Sequence, residues 1–278
     1  MVIESGSVAA VLPAGAPCWV ELSTGDDQRA LTFYAGLFGW EYTATPDSTV
    51  MTGRYLVARR DGFDVAGIFQ TDKPSGWMPH VTVPDTAVAA ERAVAVGGSV
   101  VLGPLDLPRY DSIAYARDPL GGPVVLRCPP AGWLFTTGAV GTFASADLNT
   151  HDGQATDEFY CRMFGYQTTQ LGNAADIDYA EWRLGGQPVL YRYVMGPEYP
   201  RNTPPHWMIY FVADPTEGTD ATALRSLQLG GGIAVPPYDS QLGRAAVLTD
   251  PGGAPFAIID PVDSPEGRRA PVEDPNDD

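Results

Sequence analysis

Two acidic residues on equivalent strands are the strongest candidates for chemistry in this sequence. The pattern predicts strands over Cys18–Ser23 and Thr142–Asn149, which carry Glu21 and Asp147 respectively. Side chains alternate along a strand, so each acid shares its face with aromatic or apolar neighbours. Burial of a carboxyl among such neighbours raises its pKa, and a raised pKa suits a general acid or base near neutral pH. We therefore predict that Glu21 and Asp147 are catalytic.

Two other roles for these acids stay open. A carboxylate that keeps its charge suits the binding of a cationic ammonium ligand. A carboxylate paired with an arginine would only hold its strand in place. The arginines that could form such a pair are Arg59, Arg127 and Arg183.

Aromatic and polar side chains near the two acids are predicted to bind the ligand, because flat rings stack on aromatic molecules and on cations. They are Trp19, Ser23, Tyr55, Trp77, His80, Ser145, Asn149, Tyr179, Tyr191 and His206. The alternative is that strands favour aromatic residues and these rings only pack. Tyr191 stands where the first half has Gly67, which predicts a roomier first site and a partly blocked second one.

The elements that must position these residues occur twice along the chain. Phe-Tyr-x-x-Leu-Phe-Gly-Trp at 33–40 returns as Phe-Tyr-x-x-Met-Phe-Gly-Tyr at 159–166, and the Asp-Pro motif at 118–122 returns at 250–253. The repeated motifs keep their order and a nearly constant spacing, which indicates a duplicated domain. Within each half, the order strand, helix and three strands occurs twice. We predict an α+β fold of four βαβββ units in two tandem mixed-sheet domains.

Composition at the join and at the ends predicts the domain boundaries. The join is rich in proline, alanine and glycine, and the last residues are rich in proline and acids, which cannot build a core. We predict a flexible N-terminus at 1–15, a first domain at 16–130, a linker at 131–140, a second domain at 141–262 and an acidic Pro-rich tail at 263–278.

Charge and cysteine content exclude several functions. The 278 residues include 34 acidic and 17 basic ones, a net charge of −17, which repels nucleic acid and anionic membranes. Three cysteines without CxxC spacing argue against a disulfide framework or a zinc site and favour the cytoplasm. The sequence shows neither a basic region before its first apolar run nor a run long enough to span a bilayer, so we expect no secretory signal and no membrane segment.

The order of the motifs resembles the vicinal-oxygen-chelate superfamily, which contains glyoxalases, bleomycin-type resistance proteins and extradiol dioxygenases. The resemblance rests on the motifs at 33–40 and 118–122, on Val-Ala-Gly-Ile at 65–68, and on their second-half counterparts. The opening segment, Pro-Cys-Trp-Val-Glu-Leu at 17–22, is similar to the actinobacterial two-domain glyoxalase-like branch. The resemblance implies that each half curls into a cup around a ligand.

The resemblance also implies three metal-ligand positions in each cup. They fall on Trp19, Met78 and Val125 in the first half and on Ser145, Met208 and Ala257 in the second. This set lacks the imidazole and carboxylate donors that metals of this chemistry need. His80 and His206 lie two residues from the methionine positions, and we expect them to be hydrogen-bonded wall or rim residues. We predict no metal and no other cofactor.

Together these observations predict a metal-independent small-molecule pocket protein of bacterial specialised metabolism. It would carry out acid–base tailoring, such as isomerisation, cyclisation or dehydration, of an aromatic or polycyclic metabolite, as a lyase or isomerase. The alternative is a non-enzymatic drug-binding resistance or sequestration protein, which the negative charge favours for a cationic ligand. A metal-dependent glyoxalase or dioxygenase is a third possibility, against which the ligand positions stand. A monomer and a homodimer both fit the duplicated chain.

Overall fold

The computed structural model describes residues 12–44, 55–72, 74–107, 111–173, 177–240 and 242–261. The predicted acidic tail and residues 1–11 of the predicted flexible N-terminus lie outside these ranges. Gly15 is hydrogen-bonded to the first domain, since its amide donates to the Thr82 carbonyl oxygen at 2.8 Å. Among the described residues, none of the helices is long and apolar enough to cross a membrane.

Each half contributes eight described strands and two described helices. In the first half these are β1 (Pro17–Thr24), α1 (Asp27–Phe38), β2 (Glu41–Ala44), β3 (Tyr55–Arg60), β4 (Phe63–Gln70), β5 (Gly76–Thr82), α2 (Thr86–Ala95), β6 (Ser99–Leu107), β7 (Asp111–Arg117) and β8 (Pro123–Cys128). In the second half they are β9 (Phe143–Thr150), α3 (Gly153–Phe164), β10 (Gln167–Gln170), β11 (Tyr179–Leu184), β12 (Gln187–Val194), β13 (His206–Val212), α4 (Gly218–Gln228), β14 (Gly232–Ser240), β15 (Gly243–Thr249) and β16 (Pro255–Asp260).

The strands of each half form one mixed sheet. The strand order is β2-β3-β4-β1-β5-β8-β7-β6 in the first sheet and β10-β11-β12-β9-β13-β16-β15-β14 in the second. The first strand of each half therefore lies at the centre of its sheet, parallel to one neighbour and antiparallel to the other. This arrangement confirms the predicted α+β fold of four βαβββ units in two tandem domains.

The ends of α1 follow from local sequence. The Asp26 carboxylate caps its first turn by accepting a hydrogen bond from the Arg29 amide at 3.0 Å. Gly39 ends the helix in the left-handed conformation, with φ of 71°, which costs glycine little. The equivalent helix α3 begins and ends in the same way, at Asp152 and Gly165. These two signals explain where both helices begin and end.

The helix-bearing faces of the two sheets share one apolar core. Tyr34 and Phe38 of α1 lie against Phe256 and Phe211 of the second half, with ring centroids 5.5 and 5.3 Å apart. The buried aromatic cluster includes residues from both halves. One face of each sheet is therefore occupied by packing between the halves, which leaves the opposite, concave face of each sheet for a ligand. We call these concave faces the first cup and the second cup.

Gly231 is a close contact between the halves that can be tested. A Cβ atom there would lie 2.5 Å from the Thr249 carbonyl oxygen and 2.7 Å from the Phe33 ring. We expect Gly231→Ala to lower the free energy of unfolding by about 1–3 kcal/mol, because neither neighbour can move without disturbing the core. Urea unfolding measures this change. Gly76→Ala is the matched control, since a Cβ at Gly76 meets nothing within 4 Å; equal losses in the two variants would contradict the steric argument.

Candidate functional site

Strand alternation places Glu21 and Asp147 on the concave faces, as predicted. On β1, Val20 and Leu22 belong to the core shared by the halves, whereas Glu21 does not. On β9, Ala146 and Leu148 belong to that core. The two acids therefore point away from the interface between the halves, and each is the central acidic group of its cup.

In the second cup, tyrosine hydroxyls surround Asp147. Its side chain is buried, and the Tyr210 hydroxyl donates a hydrogen bond to Oδ2 at 2.9 Å. The Tyr179 hydroxyl donates to Oδ1 at 3.4 Å. Tyr191 lies directly opposite Asp147 in the parallel register of β9 and β12, and its ring stacks on that of Tyr179 at 5.7 Å and 8°. Asp147 thus sits at the base of an aromatic wall that can hold a flat ligand.

Burial raises the pKa of Asp147 to about 7, because desolvation disfavours the charged carboxylate more than the hydroxyls of Tyr210 and Tyr179 stabilise it. Within the described residues, Asp147 forms no ion pair with an Arg, Lys or His side chain. Burial likewise raises the pKa of Tyr210 and Tyr179, so these phenols stay protonated as donors. The result is a carboxyl group that exchanges a proton near neutral pH, beside two neutral hydrogen-bond donors.

The rim of the second cup contains Asn149 and His206, both predicted to bind the ligand. The Tyr199 hydroxyl donates to Asn149 Oδ1 at 3.4 Å, and His206 Nδ1 lies 2.9 Å from the Pro204 carbonyl oxygen. The Tyr199 and His206 rings are 6.2 Å apart. The loop after β12 therefore adds polar and aromatic groups to this rim, and the role of Asn149 and His206 in holding a ligand stays a prediction.

In the first cup, Glu21 is in a different electrostatic environment. The carboxyl is 1% exposed, accepts a hydrogen bond from the Tyr115 hydroxyl at 2.9 Å, and lies 3.6 Å from His80 Nε2. Desolvation favours a higher pKa, but the His80 imidazole and the Tyr115 and Tyr55 hydroxyls outweigh it and lower the pKa of Glu21. The predicted raised pKa is therefore wrong for Glu21 and holds only for Asp147.

The predicted reason for a roomier first cup, an open space beside Gly67, is also wrong. The Trp19 indole donates a hydrogen bond to the Tyr55 hydroxyl at 2.9 Å. A Cβ atom at Gly67 would collide with that same hydroxyl. The space beside Gly67 is thus filled by Tyr55, so the missing side chain makes room for a neighbouring residue and not for a ligand.

Three arginines considered as partners for the acids pair elsewhere. Arg59 Nε lies 2.8 Å from Asp64 Oδ1. The guanidinium groups of the other two pair with carboxylates in their own sheets, Arg127 with Asp111 and Arg183 with Glu181. The alternative in which an arginine neutralises Glu21 or Asp147 is therefore wrong.

Not every predicted ligand contact lies in a cup. Trp77 is on the helix-bearing face of β5, where its indole donates to the Tyr34 hydroxyl at 2.9 Å, so its predicted place beside a ligand is wrong. Ser23 donates to the Gly76 carbonyl oxygen at 3.2 Å, near the end of β1. Ser145 is half-buried and lies opposite Tyr210 in the register of β9 and β13.

The register of the sheets changes one of the metal-ligand positions implied by the resemblance. In the first cup, His80 lies opposite both Trp19 and Val125, so these three residues form one row across the central strands. Met78, which the sequence alignment placed in that row, lies beside Glu21 instead. Alignment by sequence was two residues off because register depends on pairing between strands and not on local spacing.

The corresponding row in the second cup consists of Ser145, Tyr210 and Ala257. The two rows supply one imidazole, one phenol and one hydroxyl, which do not fit the imidazole and carboxylate set that such metals require. Within the described ranges, no group of three or more His, Cys, Asp or Glu side chains could hold a metal ion. Metal independence itself stays a prediction.

Two hydroxyl donors, Tyr115 and Tyr210, were absent from the predicted binding set. Both come from the second βαβββ unit of their half, and each donates to the acid of the first unit. A sequence signal did exist for Tyr210, because Tyr210 aligns with His80 of the first half and the alternation of side chains along β13 places it on the cup face. Tyr115 has no such signal, since its contact depends on how two units close into a cup.

Comparisons with known proteins identify relatives of this chain. The chain is 31% identical over 255 residues to a putative glyoxylase, CFP32, of Mycobacterium tuberculosis, covering 89% of this chain and 95% of that protein. It is 29% identical over 264 residues to the anthracycline biosynthesis protein DnrV of Streptomyces peucetius, covering 88% and 93%. No family model matches the chain.

Solved structures share the fold at low sequence identity. The Mn(II)-bound glyoxalase from Novosphingobium aromaticivorans aligns with a TM-score of 0.63 at 15% identity, covering 89% of this chain and 84% of that one. The 2,3-dioxygenase LapB from Pseudomonas sp. KL28 aligns with a TM-score of 0.63 at 13% identity, covering 88% and 92%. Likeness at these identities establishes the fold alone.

Proposed function

This chain belongs to the vicinal-oxygen-chelate superfamily of glyoxalase-like proteins, and from that premise we propose that it tailors an aromatic or polycyclic metabolite by metal-independent acid–base chemistry. The second cup is the site, and Asp147 carries the proton. One observation supports this choice above the others: Asp147 is a buried carboxyl with no cationic partner in the described structure, and its pKa is about 7. Such a group can both accept and return a proton at neutral pH.

The tyrosines around Asp147 define how the substrate would lie. The stacked rings of Tyr179 and Tyr191 present a flat apolar wall, against which an aromatic ring packs. The Tyr210 hydroxyl can turn from Asp147 to donate to a carbonyl oxygen of the substrate. The substrate class that fits is a planar molecule with a carbonyl group and an acidic carbon or hydroxyl within reach of Asp147.

A proton transfer at this site needs no cofactor. Ionised Asp147 removes a proton from the carbon next to the carbonyl, and the electron pair of that bond moves onto the carbonyl oxygen. Tyr210 stabilises the resulting enolate by hydrogen bonding. The electron pair then moves back and re-forms the carbonyl. The proton on Asp147 goes to another carbon conjugated with the enolate, which completes an isomerisation, or to a hydroxyl that leaves the neighbouring carbon as water while a carbon–carbon double bond forms, which completes a dehydration.

The relatives support the substrate class. DnrV of Streptomyces peucetius and DauV of Streptomyces sp. are both named as anthracycline biosynthesis proteins, and both align over 88% of this chain. A role in the tailoring of a specialised metabolite is consistent with the aromatic wall of the second cup. The chemistry of metal-dependent glyoxalases is not consistent with these cups, because the rows of residues across their central strands lack the required set of imidazole and carboxylate ligands.

Hydrogen–deuterium exchange at carbon tests the proposal before the natural substrate is identified. Purified protein is incubated in D2O with a panel of hydroxylated polycyclic ketones and quinones, and mass spectrometry detects deuterium beside the carbonyl. We expect catalysed exchange whose rate rises with pH up to about 7 and then levels off, because the ionised form of Asp147 is the base. Exchange that is independent of pH across this range would contradict a base with this pKa.

Two controls separate this chemistry from its alternatives. Treatment with a chelator should leave the exchange rate unchanged, whereas a metal-dependent glyoxalase or dioxygenase would lose its activity. Asp61→Asn changes a carboxyl that is 86% exposed and lies outside the cups, so it should leave exchange intact. Loss of exchange on chelation would overturn the metal-independent proposal.

Sequestration of a cationic aromatic compound is the second candidate function. The observation that favours it is that Asp147 has tyrosine neighbours and no cationic side chain as an ion-pair partner in the described part of the chain, while the protein carries a net charge of −17. An ammonium group of the ligand would supply the missing charge and find aromatic rings nearby. Tight binding of an aromatic amine without any exchange or product would favour this function over catalysis.

We further propose that the protein works in the cytoplasm on a small molecule, without nucleic acid or membrane partners. Its three cysteines are unpaired, as expected of a reducing compartment. The net charge of −17 disfavours both kinds of polyanionic partner. Each sheet is built from a single chain, so a monomer suffices to form both cups. Light scattering at several concentrations distinguishes a monomer from a homodimer.

A further inference from the structure

The Glu21–His80 pair of the first cup is buried but incompletely hydrogen-bonded. His80 is 1% exposed, yet neither of its ring nitrogens has a hydrogen-bond partner among the described residues. Its Nε2 atom lies 3.6 Å from Glu21 Oε2, which is too long for a hydrogen bond. Buried polar groups are nearly always satisfied. Both side chains therefore keep hydrogen-bonding capacity for a third polar atom beside them.

Aromatic and planar groups cover the space next to this pair. The Trp133 and Phe135 rings pack on Trp19, with centroids 5.3 and 5.8 Å away. The Arg127 guanidinium carbon lies 3.9 Å from the centroid of the Trp133 ring. The Trp133 indole therefore occupies a slot in which it stacks on the Arg127 guanidinium and meets the Trp19 ring edge to face, and a planar ligand there would find the same two partners.

The residues that cover the slot belong to the segment between the two halves. Trp133 and Phe135 lie between Gly132 and Gly138, both of which have positive φ, at 78° and 77°. The Trp133 indole is anchored to the first domain by one hydrogen bond, to the Cys18 carbonyl oxygen at 2.9 Å. The side chain of Leu134, between the two aromatics, is 57% exposed. We call this segment the cover segment (residues 132–138). Its far end is tied to the second half, because Thr137 pairs with Phe143 and the Gly138 amide donates to the Phe143 carbonyl oxygen at 2.9 Å. The Trp133 side chain can still leave the slot by breaking its indole hydrogen bond and its ring contacts, and Gly132 gives the backbone beside it conformational freedom.

Charge in the first cup favours a neutral ligand. Arg127 and Asp111 form a buried bidentate ion pair, so their charges cancel. Glu21 accepts a hydrogen bond from the Tyr115 hydroxyl, and its pKa is lowered, so it stays ionised. An anion entering this cup would be repelled by Glu21 and would find the charge of Arg127 already paired, whereas a neutral hydroxyl group can donate directly to Glu21. In this the first cup differs from the second, where Asp147 stands without a cationic neighbour among the described side chains.

We propose that the first cup is a second binding site, separate from the one around Asp147, for a neutral hydroxylated fused-ring aromatic molecule that enters by displacing Trp133. The ligand hydroxyl donates to Glu21 and accepts from His80, which supplies the polar atom that the pair lacks. The ring system replaces the Trp133 indole against Arg127 and Trp19. Glu21, His80 and Arg127 lie on the same face of β1, β5 and β8. Together they line the length of such a ring system.

Binding of 2-naphthol to the full chain tests this proposal, with 2-methoxynaphthalene as the ligand that cannot donate. Calorimetry should show that 2-naphthol binds about tenfold more tightly than the methoxy compound, as expected for one hydrogen bond to a charged group. Trp133→Ala should tighten 2-naphthol binding by about tenfold, because the competing ring is gone. Leu134→Ala, which alters an exposed neighbour on the same segment, should change nothing.

Fluorescence gives an independent measurement of the displacement. Five of the six tryptophans are buried, and Trp133 is the half-buried one. Acrylamide should therefore quench Trp133 selectively, and quenching should increase when 2-naphthol binds and moves this side chain into solvent. The increase should be absent in Trp133→Phe, which keeps an aromatic cover without the indole.

Four results would overturn the proposal. Equal affinity for the two naphthalenes would show that the Glu21–His80 pair does not receive the hydroxyl. Unchanged or weaker binding in Trp133→Ala would show that the indole is not a competitor. Loss of 2-naphthol binding in Asp147→Asn would place the ligand in the second cup. If wild-type protein and Trp133→Ala both fail to bind 2-naphthol, the third partner of Glu21 and His80 is a buried water molecule.

Discussion

Replacement of Asp147 by asparagine is expected to abolish turnover in the second cup and, at the same time, to stabilise the folded protein above neutral pH. The amide cannot accept or return a proton, and general acid–base catalysis typically contributes about 10²–10⁴-fold to a rate. The deuterium-exchange rate should fall by that amount while ligand binding changes much less, because the amide keeps the shape of the side chain. Exchange assays and calorimetry on the same preparation measure the two effects.

The stability change follows from the raised pKa of Asp147. Between the ordinary pKa of an aspartate and about 7, the folded state holds a proton that the unfolded state has lost. Stability of the wild type therefore falls as pH rises through this window and levels off above it. Asparagine has no proton to lose. The free energy of unfolding of Asp147→Asn should therefore exceed that of the wild type by up to about 4 kcal/mol at pH 8 and match it near pH 4.

The variant Asp61→Asn, at an exposed position, is the control for replacing a carboxyl by an amide. Its free energy of unfolding should stay within about 0.5 kcal/mol of the wild type at both pH values. Tyr210→Phe extends the series, because it removes the nearest donor to Asp147 and should slow exchange without removing the base. A wild type whose stability does not fall between pH 4 and pH 8 relative to Asp147→Asn would rule out a raised pKa at this site.

Replacement of Glu21 by glutamine is expected to have the opposite effect on stability. Glu21 is a buried charged acceptor for the Tyr115 hydroxyl and lies 3.6 Å from His80 Nε2. Weakening the hydrogen bonds of such a buried charged group typically costs about 1–3 kcal/mol. Urea unfolding at neutral pH should show this loss, while the exchange rate per folded molecule stays unchanged if the chemistry belongs to the second cup.

The pH dependence of this loss has a defined sign. The pKa of Glu21 is lowered in the folded state, so the unfolded state binds a proton first as the pH falls. The stabilising contribution of Glu21 is therefore present above the ordinary pKa of a glutamate and disappears in acid. The difference between wild type and Glu21→Gln should shrink at low pH.

A double variant distinguishes the ion pair from other causes of instability. Adding His80→Leu to Glu21→Gln removes both members of the pair and should recover part of the lost stability, with a coupling energy measured by the double-mutant cycle. Additive losses would show that the two side chains do not stabilise one another. A loss of exchange in Glu21→Gln comparable to that in Asp147→Asn would move the catalytic site to the first cup.

Local patterns in the sequence were enough to predict the architecture. Capping acids and a terminal glycine mark both long equivalent helices, and alternation along β1 and β9 assigns Glu21 and Asp147 to the concave faces. The repeat of two motifs in the same order predicted the duplicated domains. Capping and alternation act between residues a few positions apart, and the repeat is a comparison of short motifs, so all of these signals can be identified without knowledge of the tertiary structure.

The partners of the two acids lie beyond the reach of such patterns. Tyr115 reaches Glu21 and Tyr210 reaches Asp147 only because two separate βαβββ units close into one cup. The cover segment was predicted as a linker, and its packing on Trp19 depends on the path of the chain between the halves. Sequence spacing holds no information on contacts of this range.

Residue type and strand alternation thus decided which groups could do chemistry and on which side of the sheet they stand. Tertiary structure alone decided that Glu21 is an ionised partner of a histidine whereas Asp147 is a carboxyl with a pKa of about 7. The physical reason is that a pKa depends on the charges and hydrogen bonds within a few ångströms. In this protein those neighbours come from strands far apart in the chain, brought together by the register of the sheet.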